Sequence, residues 1–490
     1  MEMPAVNSST QPASRKSELL LALLFLLSLS LLNPWIRGDG VGYYAYVRAP
    51  LIQHNLDFTA DYQHANESFR ENRLDKNGQP VPEFRTVTGH LENHFTVGPA
   101  ILWSPFLIAA HTGVLLARHF GSSVAADGFS TPYRLAVAFA TALYGFFGLL
   151  LSFRLACKYV EERWALLATL AIWWASSLAV YMYFNPSWSH ALSAFIVALF
   201  LWYWERTRGS RSLFQWILLG AAGGLMLDVY YPNAVILVVL LHEALQDYPA
   251  ALRKTVSAET SLPKLLARHF AFALSLVICL APSFLAHRIV YGGIFKTGYV
   301  SVRNWNWTSP ALFSILFSAD HGLFSWTPIL LLAVFGIFIF WRSVPRLGAA
   351  FLLALLAFYY FMASYPDWQG ISSYGNRFFV SLTPLFILGL AVFLERFTRF
   401  FRTRHAALVA ASIFLGCFVL WNGGLMLQWG IHLIPARGPV SFSQVVRNQF
   451  FVVPRQLASQ FDQYLFHRRN LMQQIENRDV EQLKTNPSQQ

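Results

Sequence analysis

The sequence predicts an all-α polytopic membrane protein: about eleven transmembrane helices (range eleven to thirteen) plus interfacial helices in the first outer loop. Three observations predict it. Charged residues make up only 13% of the 490-residue chain, against roughly 25% in soluble domains. Apolar runs near the roughly 20-residue length of a bilayer span recur along it. Basic residues gather in alternate loops between those runs, which is how orientation in a membrane is written.

The first apolar run, Leu19 to Trp35, follows Arg15 and Lys16 and has no small-residue cleavage site after it. It is expected to stay in the chain as a first span, near residues 18–36. Ten more spans are expected near 135–153, 164–183, 187–204, 213–230, 231–245, 269–288, 323–341, 347–363, 378–395 and 406–427. Several are short and need flanking aromatics to reach across. Sixteen Lys and Arg occupy the alternate loops from Arg154 to Arg404, against four in the facing loops downstream of the second span (Arg288, Lys296, Arg303 and Arg377). That bias places the N-terminus inside and the segment 37–134 outside.

The net charge of +12 belongs to these short loops and forms no groove for a polyphosphate chain, so nucleic acid is excluded as a partner. The three cysteines, Cys157, Cys279 and Cys417, have neither disulfide nor metal spacing. The expected organisation is therefore a cytoplasmic N-terminus (1–17), a transmembrane domain (18–428) containing the first outer loop (37–134), and an outer C-terminal tail (429–490).

Within the outer loop, Gly98 to Ala117 is long enough to cross the bilayer. A crossing would invert every later loop and the charge bias with it. It is expected instead to lie on the outer surface, with Trp103, Phe106 and Leu107 in lipid. The polar stretch Asn66–His90 reads as a mobile surface insertion. Asn66-Glu67-Ser68 and Asn306-Trp307-Thr308 match a glycan acceptor sequon that is common by chance. In the tail, Leu457, Phe461, Tyr464, Leu465 and Leu471 form one helical stripe, expected on the outer leaflet. The polar end beyond Asn477 is expected to be disordered.

The suggestive polar residues all fall on the outer face. Asp39 leaves the first span between Gly38 and Gly40, ahead of Tyr43 and Tyr44. A carboxylate at that boundary is costly, and glycines on both sides permit close approach. Further clusters are Asp57 and Asp61, His94, Arg134, the turn Asn185–His190, the segment Lys296–Trp307 with Arg303, and the run Tyr365–Arg377 with Trp368 and Tyr374. Each has an ordinary explanation as well. Aromatics belong to the interfacial belt, arginines snorkel to lipid phosphate, and aspartates cap helices.

The order of these features resembles the GT-C integral-membrane glycosyltransferases, near the protein O-mannosyltransferases and the aminoarabinose-lipid transferases. Asp39 stands where that family has an Asp just after the first span. His94 to Trp103 (HFTVGPAILW) takes the place of a basic, Pro-containing motif opening an amphipathic helix, and Arg134-Leu135 that of an Arg-Leu pair starting the second span. Trp368 to Phe378 (WQGISSYGNRF) looks like a late glycine- and aromatic-rich loop ending in Arg. The resemblance covers roughly residues 18–395. Three positions depart from it: Gly40 stands where many relatives have a second carboxylate, His190 where an acidic residue is frequent, and Asp228 where a basic one is.

The resemblance implies transfer of a sugar from a polyprenyl-phosphate donor to a glycan, lipid or protein acceptor, with the site facing the periplasm from a bacterial inner membrane. Asp39 would be the base. Arg377, Arg134, Lys296, Arg303 and His94 are candidates for the donor phosphate, and Tyr43, Tyr44, His190, Trp368 and Tyr374 for substrate. Phosphate leaves without prior protonation, so one carboxylate suffices, which fits inversion by single displacement. A Mg or Mn ion on Asp39, Asp57 or Asp61 is compatible with hard-oxygen chemistry. The competing readings are a transporter or flippase of lipid-linked glycans, and an inactive relative serving as an assembly partner. Transporters favour ionisable groups near the bilayer midplane, and here the polar groups crowd one surface.

Overall fold

The computed structural model describes residues 13–70, 73–253 and 261–485. Glu71 and Asn72 of the polar insertion, Lys254 of the basic loops, and the first 12 and last five residues lie outside the described residues. Helices dominate, and the only extended pairings among the described residues are two isolated bridges, Leu74 with Pro80 and Arg85 with Leu91.

Seven described helical stretches are long and apolar enough to cross a membrane: Gly98–His119, Thr131–Cys157, Tyr231–Leu252, Leu262–Cys279, Pro345–Ser364, Arg377–Phe400 and Arg404–Gly430. Leu213–Val229 and Ile329–Ser343 are shorter apolar helices. The other expected spans are carried by α1 (Arg15–Ser28), by a helix at Glu162–Trp174 and by one at His190–Thr207. The sequence count of eleven merges pieces that the backbone separates. The span expected at 164–183 stops at Trp174 and resumes as a wide turn at Val180–Phe184. The one at 269–288 breaks at Leu280, before Pro282, where the ring removes a helical hydrogen bond.

The two ends of α1 meet two kinds of chemistry. In its first turn Glu18 accepts from Arg154 Nε at 2.6 Å. Close to Arg154 in sequence, Lys158 pairs with Glu205, and Glu395 accepts from the Glu161 backbone N–H at 3.0 Å. The arginine-rich loops therefore meet at one end. Beyond the other end of α1 comes Asp39, which opens α2 (Asp39–Arg48).

The helix expected on the membrane surface, α3 (Gly98–His119), packs antiparallel on α4 (Thr131–Cys157). Trp103 Nε1 donates to Thr141 Oγ1 at 2.8 Å, and His111 Nδ1 meets the Tyr133 hydroxyl at 2.7 Å. Trp103 and Leu107 are completely buried, so they do not dip into lipid. An indole N–H needs a partner, and Thr141 supplies one inside the protein. Phe106 sits edge-on to Phe139 and Tyr144; Ile108, Leu115 and Leu116 form the outward face.

Two further expectations are corrected. The polar insertion is tied down. Arg73 Nη1 donates to the Tyr62 hydroxyl at 3.1 Å and to the Glu92 carbonyl at 3.0 Å, and its guanidinium lies over Tyr62, Phe69 and Phe84. The tail does not end its order at Asn477. It forms α5 (Val453–Phe466) and α6 (Arg468–Thr485). Three apolar residues of α6, Leu471, Ile475 and Val480, are buried, but polar contacts anchor it as well. Hydrophobic patterning does not register those.

Candidate active site

Asp39 is positioned by its glycines. Gly38 has a positive φ of 54°, and a Cβ there would meet the Trp188 ring at 3.1 Å. Its N–H donates to Asn66 Oδ1 at 3.0 Å. Gly40 and Gly42 are packing requirements too: a Cβ at Gly40 would collide with the Ser187 side chain, and one at Gly42 with the Phe95 ring. The place of a second carboxylate is thus filled by Ser187.

Arg377 comes from the far end of the chain. Gly375, with φ 57°, turns the backbone, and Asn376 Nδ2 donates to the Trp368 carbonyl at 3.0 Å. Arg377 Nη1 then donates to Asp39 Oδ2 at 2.8 Å. The two side chains are 12% and 26% exposed, so the pair is largely but not wholly withdrawn from water. The guanidinium lies over Trp188 at 4.5 Å, and Trp188 Nε1 donates to the Arg37 carbonyl at 3.0 Å. Arg377 Nε has no partner among the described residues.

Behind this pair stands an aromatic and imidazole wall. His190 is buried, with Nδ1 unpartnered among the described residues, and its ring lies edge-on to Tyr181 and Tyr230. Ser189 Oγ donates to the Tyr43 hydroxyl at 3.0 Å. His94 packs on Phe95 and edge-on to Tyr299. Burial, aided by the Arg73 charge and opposed by Asp39, lowers the His94 pKa to about 4. That shift favours the neutral imidazole.

Asp39 and Arg377 open onto a cavity of about 1050 Å³. Its polar lining adds Arg37, Arg73, Asp320, Asp367 and Gln369; its apolar lining includes Leu31, Trp174, Val180, Phe184, Met426 and Leu427; the tail contributes Phe461, Tyr464 and Leu471. Two residues lining the cavity, Ile371 and His432, carry strained backbone with positive φ, a conformation that clusters at functional sites.

Other sequence candidates lie elsewhere. The Tyr44 hydroxyl donates to the Gly128 carbonyl, and Tyr374 is buried with its hydroxyl on Asn422 Oδ1 at 2.7 Å, so both support the site from behind. Trp368 contributes its carbonyl to Asn376. Arg134 reaches back to Thr131 Oγ1 at 3.3 Å, and Lys296 and Arg303 are exposed; none of the three lines the cavity. The proposed metal ligands do not converge. Asp57 Oδ1 caps the Thr59 N–H at 3.0 Å, and Asp61 is buried in a two-bond pair with Arg48 at 2.5 and 2.7 Å. No cluster of three or more His, Cys, Asp or Glu among the described residues has metal-site geometry, so this carboxylate set does not fit a divalent cation. Sequence reasoning missed Arg37, Arg73 and the tail as parts of the site, and it gave no separate role to Trp188 within the turn Asn185–His190 or to Tyr299 within Lys296–Trp307.

No protein-family model matches the chain, and no curated protein matches it significantly. Solved structures do. The chain is similar to ArnT from Cupriavidus metallidurans at 12% identity, covering 87% of this chain and 73% of that one, with a TM-score of 0.45. It is similar to the Archaeoglobus fulgidus oligosaccharyltransferase AglB, solved with an inhibitory peptide and a dolichol-phosphate, at 13% identity, 95% and 56% coverage and a TM-score of 0.44. The same oligosaccharyltransferase with Zn and sulfate matches at 15% identity, 85% and 55% coverage and a TM-score of 0.43. The chain thus spans little more than half the length of the oligosaccharyltransferase.

Proposed function

We propose that this protein transfers a sugar from a polyprenyl-phosphate donor to an acceptor at the outer face of the membrane. The observation that carries the reading is the Asp39–Arg377 pair on the wall of a cavity lined by both charged and apolar side chains. A lipid-linked sugar calls for both kinds of lining: it has an apolar chain, a phosphate and a polar ring.

In the proposed reaction Asp39 accepts the proton of the acceptor hydroxyl. The acceptor oxygen forms its bond to the anomeric carbon as the bond from that carbon to the phosphate oxygen breaks. The electron pair leaves with the lipid phosphate, whose charge Arg377 stabilises. Arg377 holds Asp39 before the donor arrives, and a phosphate approaching the guanidinium would loosen that hold and free the carboxylate. Gly40, with Ser187 in the way, supports one acid in place of an adjacent pair, and so supports inversion over a double displacement. Trp188 holds the guanidinium plane from beneath.

The test is transfer of a radiolabelled sugar from a polyprenyl-phosphate donor in reconstituted vesicles, comparing the native chain with Asp39→Asn. Transfer by the native chain that is lost in the variant is the expected result. Equal transfer by both removes Asp39 from the chemistry. Movement of intact donor lipid across the vesicle without sugar transfer would assign the cavity to a transporter instead.

A further inference from the structure

A second charged cluster lies on the same cavity, two residues along the chain from Asp39, and the reaction above does not use it. Arg37 follows α1, and His432 and Arg437 lie on the loop after Arg404–Gly430; all three line the cavity. At their meeting point is a carboxylate from the chain's far end, Asp479 of α6. Asp479 pairs with Arg37 through Oδ2 and meets His432 Nε2 through Oδ1 at 2.8 Å. Arg437 interacts with it electrostatically.

We propose that Arg37, His432 and Arg437 form a binding site for a phosphate-class anion, and that Asp479 fills this site as an internal stand-in, holding α6 across the cavity until the anion displaces it.

Four features support this. His432 is held at φ 57°, a strained backbone that aims the ring at the cluster. Asp479 is deep enough that burial alone would raise its pKa, yet the hydrogen bond from His432 and the Arg37 charge hold its carboxyl below the usual range; the cluster is built to keep a negative charge. Polar contacts hold the rest of α6 alongside its buried Leu471, Ile475 and Val480. Glu476 Oε1 accepts from the Ser68 N–H at 2.7 Å, and Arg478 Nη1 donates to the Ile431 carbonyl at 2.6 Å. Finally, a phosphate carries more charge and more acceptor oxygens than a carboxylate, and planar guanidinium groups bind it in two-bond pairs. It would outcompete Asp479 for the same donors.

This rests on the transferase reading only for the source of the anion, and the experiment separates the two. Hydrogen–deuterium exchange of the full chain in detergent is read at α6 with no addition, with undecaprenyl phosphate, with undecaprenol and with inorganic phosphate. The expected result is loss of α6 protection with the phosphorylated lipid and none with the alcohol. Asp479→Asn should expose α6 without any lipid and tighten undecaprenyl phosphate binding by about threefold to tenfold. Release by inorganic phosphate at equal concentration would assign the site to free phosphate; release by the lipid alone would assign it to the headgroup. Protection of α6 unchanged by either phosphate overturns the proposal, even if sugar transfer is found. Release of α6 by phosphate without any sugar transfer upholds the site and removes the transferase reading.

Discussion

Replacing Asp39 by Asn separates charge from shape at the centre of the site. Asp39 Oδ2 is taken by Arg377 at 2.8 Å, which leaves Oδ1 to receive the acceptor proton. Asn keeps an oxygen for Arg377 and puts an amide, with no basicity, where the proton would go. Loss of a positioned base costs about 10²–10⁴-fold in rate, or about 3–5 kcal/mol of transition-state stabilisation. The cost to folding is smaller. With side chains 26% and 12% exposed, the pair lies between an exposed ion pair, worth about 0.2–1 kcal/mol, and a fully buried one, whose breakage costs about 3–5 kcal/mol. A loss of about 1–2 kcal/mol is expected, since Trp188 still lies against the guanidinium. The assay is initial-rate transfer in vesicles at saturating donor, with thermal unfolding of the same preparation. A kcat within about threefold of the native chain, in protein that melts normally, refutes the assignment, because a base is worth at least about 10²-fold.

Asp61→Asn leaves Arg48 charged and buried, which should destabilise the outer loop by about 3–5 kcal/mol; limited proteolysis of the 37–134 segment reads this, and native-like resistance would contradict it. Asp57→Ala removes only an exposed local turn hydrogen bond to Thr59, worth about 0.5–1.5 kcal/mol, and should leave both transfer and its response to chelator unchanged, whereas a shifted chelator response would return Asp57 to a metal site. Arg134→Gln, Lys296→Gln and Arg303→Gln should each keep transfer within about threefold of native, a change of under about 1 kcal/mol, since none lines the cavity; a larger fall in any would restore that residue to the phosphate-binding set. His94 has a folded pKa of about 4, below its ordinary 6.5. The unfolded chain therefore binds more protons between those values, so its contribution is full above about pH 6.5 and falls by up to about 1.4 kcal/mol per unit as the solution is acidified toward pH 4. Unfolding measured across that range should be less pH-sensitive in His94→Gln than in the native chain, and equal slopes would show that His94 is not the group responsible.

Much of the site was legible because it lies where bilayer physics makes polar residues conspicuous. Asp39 stands out against the apolar run before it, and Arg377 against the run after it; their order along the chain suggested a meeting across 338 residues. The aromatic wall was harder to read, because Trp188 and Tyr299 have the composition of any interfacial belt, and only their neighbours give them a role. Arg73 was hidden in a polar stretch whose order comes from one guanidinium stacked among three rings. The tail beyond Asn477 lacked the density of apolar residues that marks a packed helix. Its anchors are single charges whose partners lie some 400 positions away, and no local window holds both halves of such a contact. The expectation that Trp103 and Leu107 face lipid failed for a related reason: the amphipathic pattern gives a buried side without saying whether lipid or protein covers it.

The contact between Gly40 and Ser187 restricts how this site can change. Introducing an acid at position 40 alone meets an occupied space, and shrinking Ser187 alone opens a void with no acid to fill it. A lineage moving between one-acid and two-acid versions of this chemistry would have to alter both residues together, so the hydroxyl of Ser187 acts as a barrier in sequence space as much as a wall in the protein.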